Sequence, residues 1–281
     1  MIGRSSRPFD ARVLAAADGW GAATAALAVV DRGGLVASHG PADVPLPWAS
    51  VTKLVTAYVV LVAIERGVVA LDEPAGPPDA TLRHLLAHAS GLGPEGHVAL
   101  QAPGVTRLYS NSGIDAAAAF VAAHMGRPFT ALLREWVLDP LGLTGARLAG
   151  PPASGFVGSL DDLATFGHEL LRPRLLSAAA LATATTVAFP GLRGVLPGVG
   201  RFDPLDWGLG FELRDGKAPH WTGTRNSPAT FGHFGRSGTF LWVDPVAGIA
   251  LAGLTNREFG PWALAAWPAI SDAVLEEAGR G

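Results

Sequence analysis

Ser50 and Lys53 open a segment, WASVTKLVTAYVVLVAIERG over 48–67, in which Lys53 is the only charged residue before Glu65. Residues three apart share a face of an α-helix, so this spacing brings a hydroxyl and an amine within hydrogen-bond reach. A helix start adds unpaired N–H groups and a partial positive charge, both of which favour an oxyanion beside Ser50. Burial disfavours charged lysine, so Lys53 must find a partner or hold its proton loosely enough to act as a base. Together these features describe an activated serine, capable of covalent acyl chemistry. The same residues also fit a helix cap at Ser50 and a lysine that reaches solvent from the first turn.

Two other stretches concentrate reactive or polar groups. RLYSNSGID places Tyr109, Ser110 and Asn111 ahead of an alanine-rich helix, and FGHFGRSGTFLWVDP places His233, Phe234, Gly235 and Arg236 at the start of a strand. Each has a structural alternative: Tyr109 as a core aromatic, Asn111 as a helix cap, His233 as a histidine satisfied by backbone. His84 and His88 have i, i+4 spacing, but no third ligand stands at a metal-binding distance in sequence, and they are assigned to packing. Asp161 and Asp162 fit a first helical turn, where carboxylates complement the dipole. No Gly-x-Ser-x-Gly elbow occurs; Gly235-Arg236-Ser237-Gly238 is one position out of that pattern.

The elements that must hold these residues follow from pattern. Residues 22–39 read as a hairpin around Gly33-Gly34. Helical patterns dominate about 51–180, at 81–89, 112–125, 128–138 and 160–171. The glycine- and proline-rich stretch 186–204 reads as irregular loop, and 220–228 as a loop at a pocket entrance. Strands return from about 205, with a hairpin turn at Pro245–Gly248, and Pro261 opens a closing helix kinked at Pro268. The expected fold is α+β: an antiparallel sheet completed by the amino-terminal strands and flanked by terminal helices, with a helical region inserted. A single domain of 1–281 is expected, an α/β part at about 1–49 and 181–281 and a helical part at about 50–180.

Composition excludes several functions. Among 281 residues, 49% are apolar and 16% charged, ample for a sizeable core, and 21 basic against 24 acidic residues leave no footprint for nucleic acid. The absence of cysteine removes disulfides, thiolate metal sites and a cysteine nucleophile. The longest apolar run, Leu54 to Ile64, is far shorter than the roughly 20 residues that span a bilayer, so no membrane association is expected. The first twenty residues show no secretion signal, which gives an expectation of a cytoplasmic protein.

Ser50-Val51-Thr52-Lys53, Tyr109-Ser110-Asn111 and His233-Phe234-Gly235, in this order, resemble the three motifs of the serine β-lactamase and penicillin-binding-protein superfamily. Within it, the match is similar to the class C β-lactamase-like branch, which includes family VIII-type esterases and D-aminopeptidases. LRHLLAHASGL at 82–92, GFVGSLDDLATFG at 155–167 and GTFLWVDPVAGIALAGLTNR at 238–257 extend the resemblance from about residue 9 to the carboxyl end.

The resemblance implies Ser50 as nucleophile, Lys53 as the group that helps deprotonate it, and Tyr109 as the shuttle to the leaving group. It further implies Asn111 as a holder of Lys53 or substrate, and the N–H groups of Ser50 and Arg236 as oxyanion donors. Gly235 would let substrate lie close against the strand, and a neighbouring ammonium would lower the pKa of Tyr109. His233 and Phe234 replace the lysine and the hydroxyl residue common in lactam-processing relatives, leaving no fixed cation for a carboxylate. The resemblance therefore implies hydrolysis of a small ester, amide or lactam by an acyl-enzyme route without metal or organic cofactor, in a protein favoured to be monomeric. A β-lactamase or D-stereospecific peptidase, an acyltransferase or cyclase, and a silent binding module remain alternatives.

Overall fold

Strand alternation explains how the central sheet is buried on both sides. The computed structural model describes residues 8–279; the basic first seven, part of the reading against a secretion signal, lie outside the described residues. A 3-10 helix, Ala11–Trp20, leads into β1 (Ala25–Asp31) and β2 (Gly34–His39), the expected hairpin. Next come β3 (Leu46–Pro47), a 3-10 turn at Ala49–Val51 and the buried helix α1 (Thr52–Glu65). The helical region continues with α2 (Leu82–Leu86), α3 (Asn111–Met125) and α4 (Phe129–Leu133). A π-helical turn, Arg134–Leu138, leads into α5 (Asp139–Leu141).

Short strands β4 (Arg147–Leu148) and β5 (Phe156–Gly158) join β3 in a small sheet. Then follow α6 (Leu160–Leu171) and α7 (Ala178–Ala184). The hairpin β6 (Gly194–Leu196) and β7 (Gly200–Phe202) precedes β8 (Glu212–Leu213), β9 (Phe231–Phe234), β10 (Phe240–Asp244), β11 (Ile249–Thr255) and α8 (Pro261–Ala278). The main sheet has order β2-β1-β11-β10-β9-β8 and is antiparallel, with β1 paired to β11 from Ala25↔Thr255 to Asp31↔Ile249.

Period two sorts its side chains. Ala26, Ala28, Ala250 and Ala252 face one core, where small residues let α6 approach; Gly167 of α6 lies against Leu241 and Ala250. Leu27, Val29, Phe240, Trp242 and Leu251 face a second core with Trp267, Ile270 and Val274 of α8. Among the described residues no helix is long and apolar enough to cross a membrane.

Several expectations shift. The 81–89 helix ends sooner, and His88 beyond it has a φ of 54°. The stretch 186–204 is not irregular throughout, since it carries the β6–β7 hairpin. The strand-like 207–214 contributes only two strand residues, because Gly210 (φ 88°) turns against α1: a Cβ there would lie 2.1 Å from that of Ala57. Ser159 and Asp162 form the capping box of α6.

Candidate active site

Ser50 sits in the tight turn before α1 rather than in the helix itself. Trp48 anchors that turn. Its N–H donates to Phe156 O at 2.9 Å, its indole donates to Gly158 O at 3.2 Å, and its ring packs on Phe156. Ala49 takes a φ of 45°, a left-handed conformation disfavoured for a residue with a Cβ, immediately before the nucleophile. The turn is pressed against the end of β9. A Cβ on Gly235 would lie 2.5 Å from Trp48 O and 3.1 Å from Ser50 N. The approach of the Ser50 turn therefore by itself requires glycine at position 235.

Lys53 is fully buried, and its Nζ lies 3.2 Å from Ser50 Oγ, 2.7 Å from Asn111 Oδ1 and 2.9 Å from Ala153 O. Burial pushes its pKa down to about 7, against the pull of Asp115 and Glu95. A neutral amine has two N–H donors and one lone pair. Asn111 Oδ1 and Ala153 O accept hydrogen bonds only, so they take the two donors and leave the lone pair facing the Ser50 hydroxyl. Each acceptor is held in turn: Asn111 Nδ2 donates to Glu95 at 2.9 Å, and Ala153 N donates to Asp115 at 2.7 Å. The α3 cap is Ser110, whose Oγ accepts from Gly113 N and donates to Gly93 O, so Asn111 is not the cap.

Tyr109 lies between the rings of His88, Trp207 and His233, with Lys53 Nζ 4.8 Å from its ring centre. Burial raises its pKa above the ordinary value, and a hydrogen bond with Ser50 offsets only part of that rise. The expected lowering is thus overturned. Lys53 supplies no lasting cation above neutral pH, so Tyr109 stays a phenol.

The His233 tautomer follows from its partners. Nδ1 lies 2.7 Å from Phe234 O, which only accepts, so Nδ1 carries the proton and Nε2 faces the Tyr109 hydroxyl at 3.4 Å with a lone pair. Burial, then repulsion by Lys53, push His233 down to about 3, so it is neutral. His88 is also neutral: burial drives its pKa well below the ordinary value. Its Nδ1 accepts from Ser110 N–H, which leaves Nε2–H without a hydrogen-bond partner among the described residues. His84 instead accepts from Thr81 N–H in the α2 cap and stacks on Phe189.

A cavity of about 560 Å³ brings Ser50, Tyr109, Asn111, His233, Phe234 and Arg236 to one surface. Arg236 is exposed; the Phe234 ring packs on Phe259 and on Trp267 of α8. Residues 220–228 do not form the entrance. His220, Trp221 and Asn226 are buried, because His220 and Trp221 both reach the buried carboxylate of Glu212. Glu95 and Pro197 of the β6–β7 turn also line the cavity, and Ser154 and Phe259, which no motif marks, complete it. The Ala153 carbonyl carries no sequence signal, since any residue supplies one.

A family model described as Beta-lactamase matches residues 9–275. The crystal structure of a beta-lactamase from Mycobacterium bovis is 52% identical, with a TM-score of 0.93, covering 95% of this chain and 99% of that one. Unliganded simvastatin synthase from Aspergillus terreus superposes with a TM-score of 0.79 at 19% identity, covering 96% of this chain and 97% of that one. A D-stereospecific amidohydrolase from Streptomyces gives a TM-score of 0.69 at 21% identity, covering 94% and 96%. The last two show a shared fold. No curated protein matches the chain.

Proposed function

This chain belongs to the beta-lactamase family, and from that premise we propose that it hydrolyses small esters or amides through an acyl-enzyme on Ser50. The observation that carries the reading is the near-neutral Lys53 amine, whose lone pair is steered at Ser50 by two fixed acceptors.

Lys53 takes the Ser50 proton as Oγ bonds to the substrate carbonyl carbon. The N–H groups of Ser50 and Arg236 hold the oxyanion. Tyr109 gives its phenolic proton to the departing oxygen or nitrogen as that bond to carbon breaks, and Lys53 returns the proton it took to Tyr109. A water then repeats the sequence against the acyl group, releasing the acid and restoring Ser50. A Tyr109 with a raised pKa suits this role, since it is protonated when the leaving group needs a proton.

A lactam is the second reading. It is favoured by the name of the Mycobacterium bovis relative and by Arg236, a cation at the cavity one position from Gly235. The neutral state of His233 and the ring at Phe234 favour the uncharged ester or amide.

Intact-mass measurement after fluorophosphonate treatment is expected to give one adduct, lost in Ser50→Ala; folded wild-type protein without an adduct overturns the proposal. Turnover of p-nitrophenyl acetate, nitrocefin and D-amino-acid amides by the same preparation separates ester, lactam and amide readings.

A further inference from the structure

A second cavity, of about 720 Å³, shares Tyr109 and Pro197 with the first as lining residues. Its wall is built on the segment that delivers Tyr109. Arg107 N donates to Arg193 O at 2.9 Å, and Arg107 bridges Gly194, so the β6–β7 hairpin hangs from the residue two positions before the phenol. The Arg107 guanidinium is consumed by carbonyls of Ala87, Ala188, Phe189 and Leu205 and is not free to bind a ligand.

The rest of the lining divides by chemistry. Pro94, Leu108, Val195, Pro197 and Phe202 offer apolar surface. The bordering loop, whose ends Pro94 and Thr106 reach the cavity, exposes Val98, Leu100 and Val105. Val195 is opposite Arg201 in register, so their side chains share a face of the hairpin, and Arg193 lies two residues before Val195. Arg193 and Arg201 are both exposed, and neither side chain has a hydrogen bond or ion pair among the described residues. Among the described residues Asp203 is the one carboxylate lining the cavity, so the guanidinium groups leave an excess positive charge.

Resting on the acyl-enzyme reading, we infer that this cavity takes one arm of the substrate: an apolar chain or ring ending in a carboxylate or phosphate. The apolar walls hold the body of the arm, and Arg193 and Arg201 meet its anionic end. The enzyme's selectivity then lies in the arm remote from the reacting carbonyl, where His233 and Phe234 supply no cation.

Titration calorimetry of the wild-type protein with octanoate, octyl phosphate and octan-1-ol tests this without requiring turnover. Either anion is expected to bind about tenfold more tightly than the alcohol, a preference that shrinks with added salt and is lost in the Arg193→Gln/Arg201→Gln double variant. The tighter of the two anions identifies the terminal group. Equal binding of alcohol and anions, or a preference unchanged in the double variant, overturns the inference. Turnover of p-nitrophenyl acetate is read on the same preparation. Turnover without anion preference removes this inference and leaves the Ser50 assignment; anion preference without turnover does the reverse.

Discussion

Lys53 and Lys217 are the chain's two lysines, and both are buried, in opposite surroundings. Lys217 Nζ lies 2.9 Å from Glu212 Oε1 and also donates to Asp206 O and Leu213 O. His220 Nδ1 accepts from Thr222 N–H, so its Nε2–H points at the same carboxylate, 3.0 Å away, and the Trp221 indole donates there too. Burial alone would raise Glu212, but its neighbours His220 and Lys217 overcome it and hold the carboxyl at about 2. Among the described residues Lys53 has no carboxylate in contact; its partners are a hydroxyl, an amide oxygen and a carbonyl. An ammonium matched by an anion is a fastener, whereas one held only by neutral acceptors gives up its proton near neutral pH. Glu212 and Lys217 tie down the segment carrying Trp207, which packs on Tyr109, so the fastened lysine supports the chemistry of the loose one.

Exchanging each amine for a similar apolar stem tests this contrast most severely. Lys53→Met is expected to lower p-nitrophenyl acetate turnover by on the order of 10³ to 10⁴. Its thermal midpoint is expected to stay within a few degrees, because the desolvation penalty of the amine disappears along with its hydrogen bonds. Lys217→Met leaves Glu212 buried without its ammonium, a loss of about 3–5 kcal/mol that calorimetry reads as a fall of about 10 °C. Loss of stability in the first and of turnover alone in the second would reverse the two roles.

Next in size is Gly235→Ala. The added methyl meets Trp48 O and the Ser50 turn, and displacing the nucleophile by a fraction of an ångström is expected to reduce kcat by about a hundredfold. A change below threefold would mean that the turn yields freely and that the contact does not position Ser50.

The two lysine sites also separate along the pH axis. Activity needs neutral Lys53, so kcat/KM is expected to rise with pH through a midpoint near 7 and to fall about tenfold per unit below it. Because folding lowers the Lys53 pKa, the unfolded chain binds the extra proton between about 7 and the model-peptide value, and stability rises with pH across that window. Glu212 acts lower down. Its depressed pKa contributes stability present above the ordinary carboxylate range and lost as pH falls toward 2. Pre-steady-state rates and chemical denaturation from pH 3 to 9 are expected to show activity lost before folding; coincident loss would remove the distinction.

How legible these sites are in sequence depends on the range of the contacts that define them. Ser50 and Lys53 could be paired from helical spacing, and the α+β order and the α6 boundaries from periodicity, because each depends on neighbours within a turn or a strand. Lys217 gave no signal, since its partner Glu212 becomes one only when β8 and the following loop fold back on each other. Trp221 looked like an entrance residue because flanking Gly and Thr suggested a loop, while its burial depends on Glu212 and α8. The direction of the Tyr109 shift is hidden from sequence for a similar reason. Proximity to an amine was legible, but the burial that neutralises both groups belongs to the whole ring cage.

The smallest expected effect concerns His233, the neutral group beside the phenol. Its Nε2 accepts from Tyr109 at 3.4 Å, longer than an ordinary O–H hydrogen bond, so the contact orients the hydroxyl and stores no proton. With its pKa near 3, it adds no titration to the activity profile around neutrality. His233→Phe removes the acceptor while keeping a ring against Trp207, and is expected to lower kcat/KM for p-nitrophenyl acetate by about three- to tenfold with the midpoint still near 7. A loss approaching that of Lys53→Met would make His233 a second proton acceptor for Tyr109. One buried lysine would then no longer suffice to explain the base, and the contrast with Lys217 would have to include the histidine.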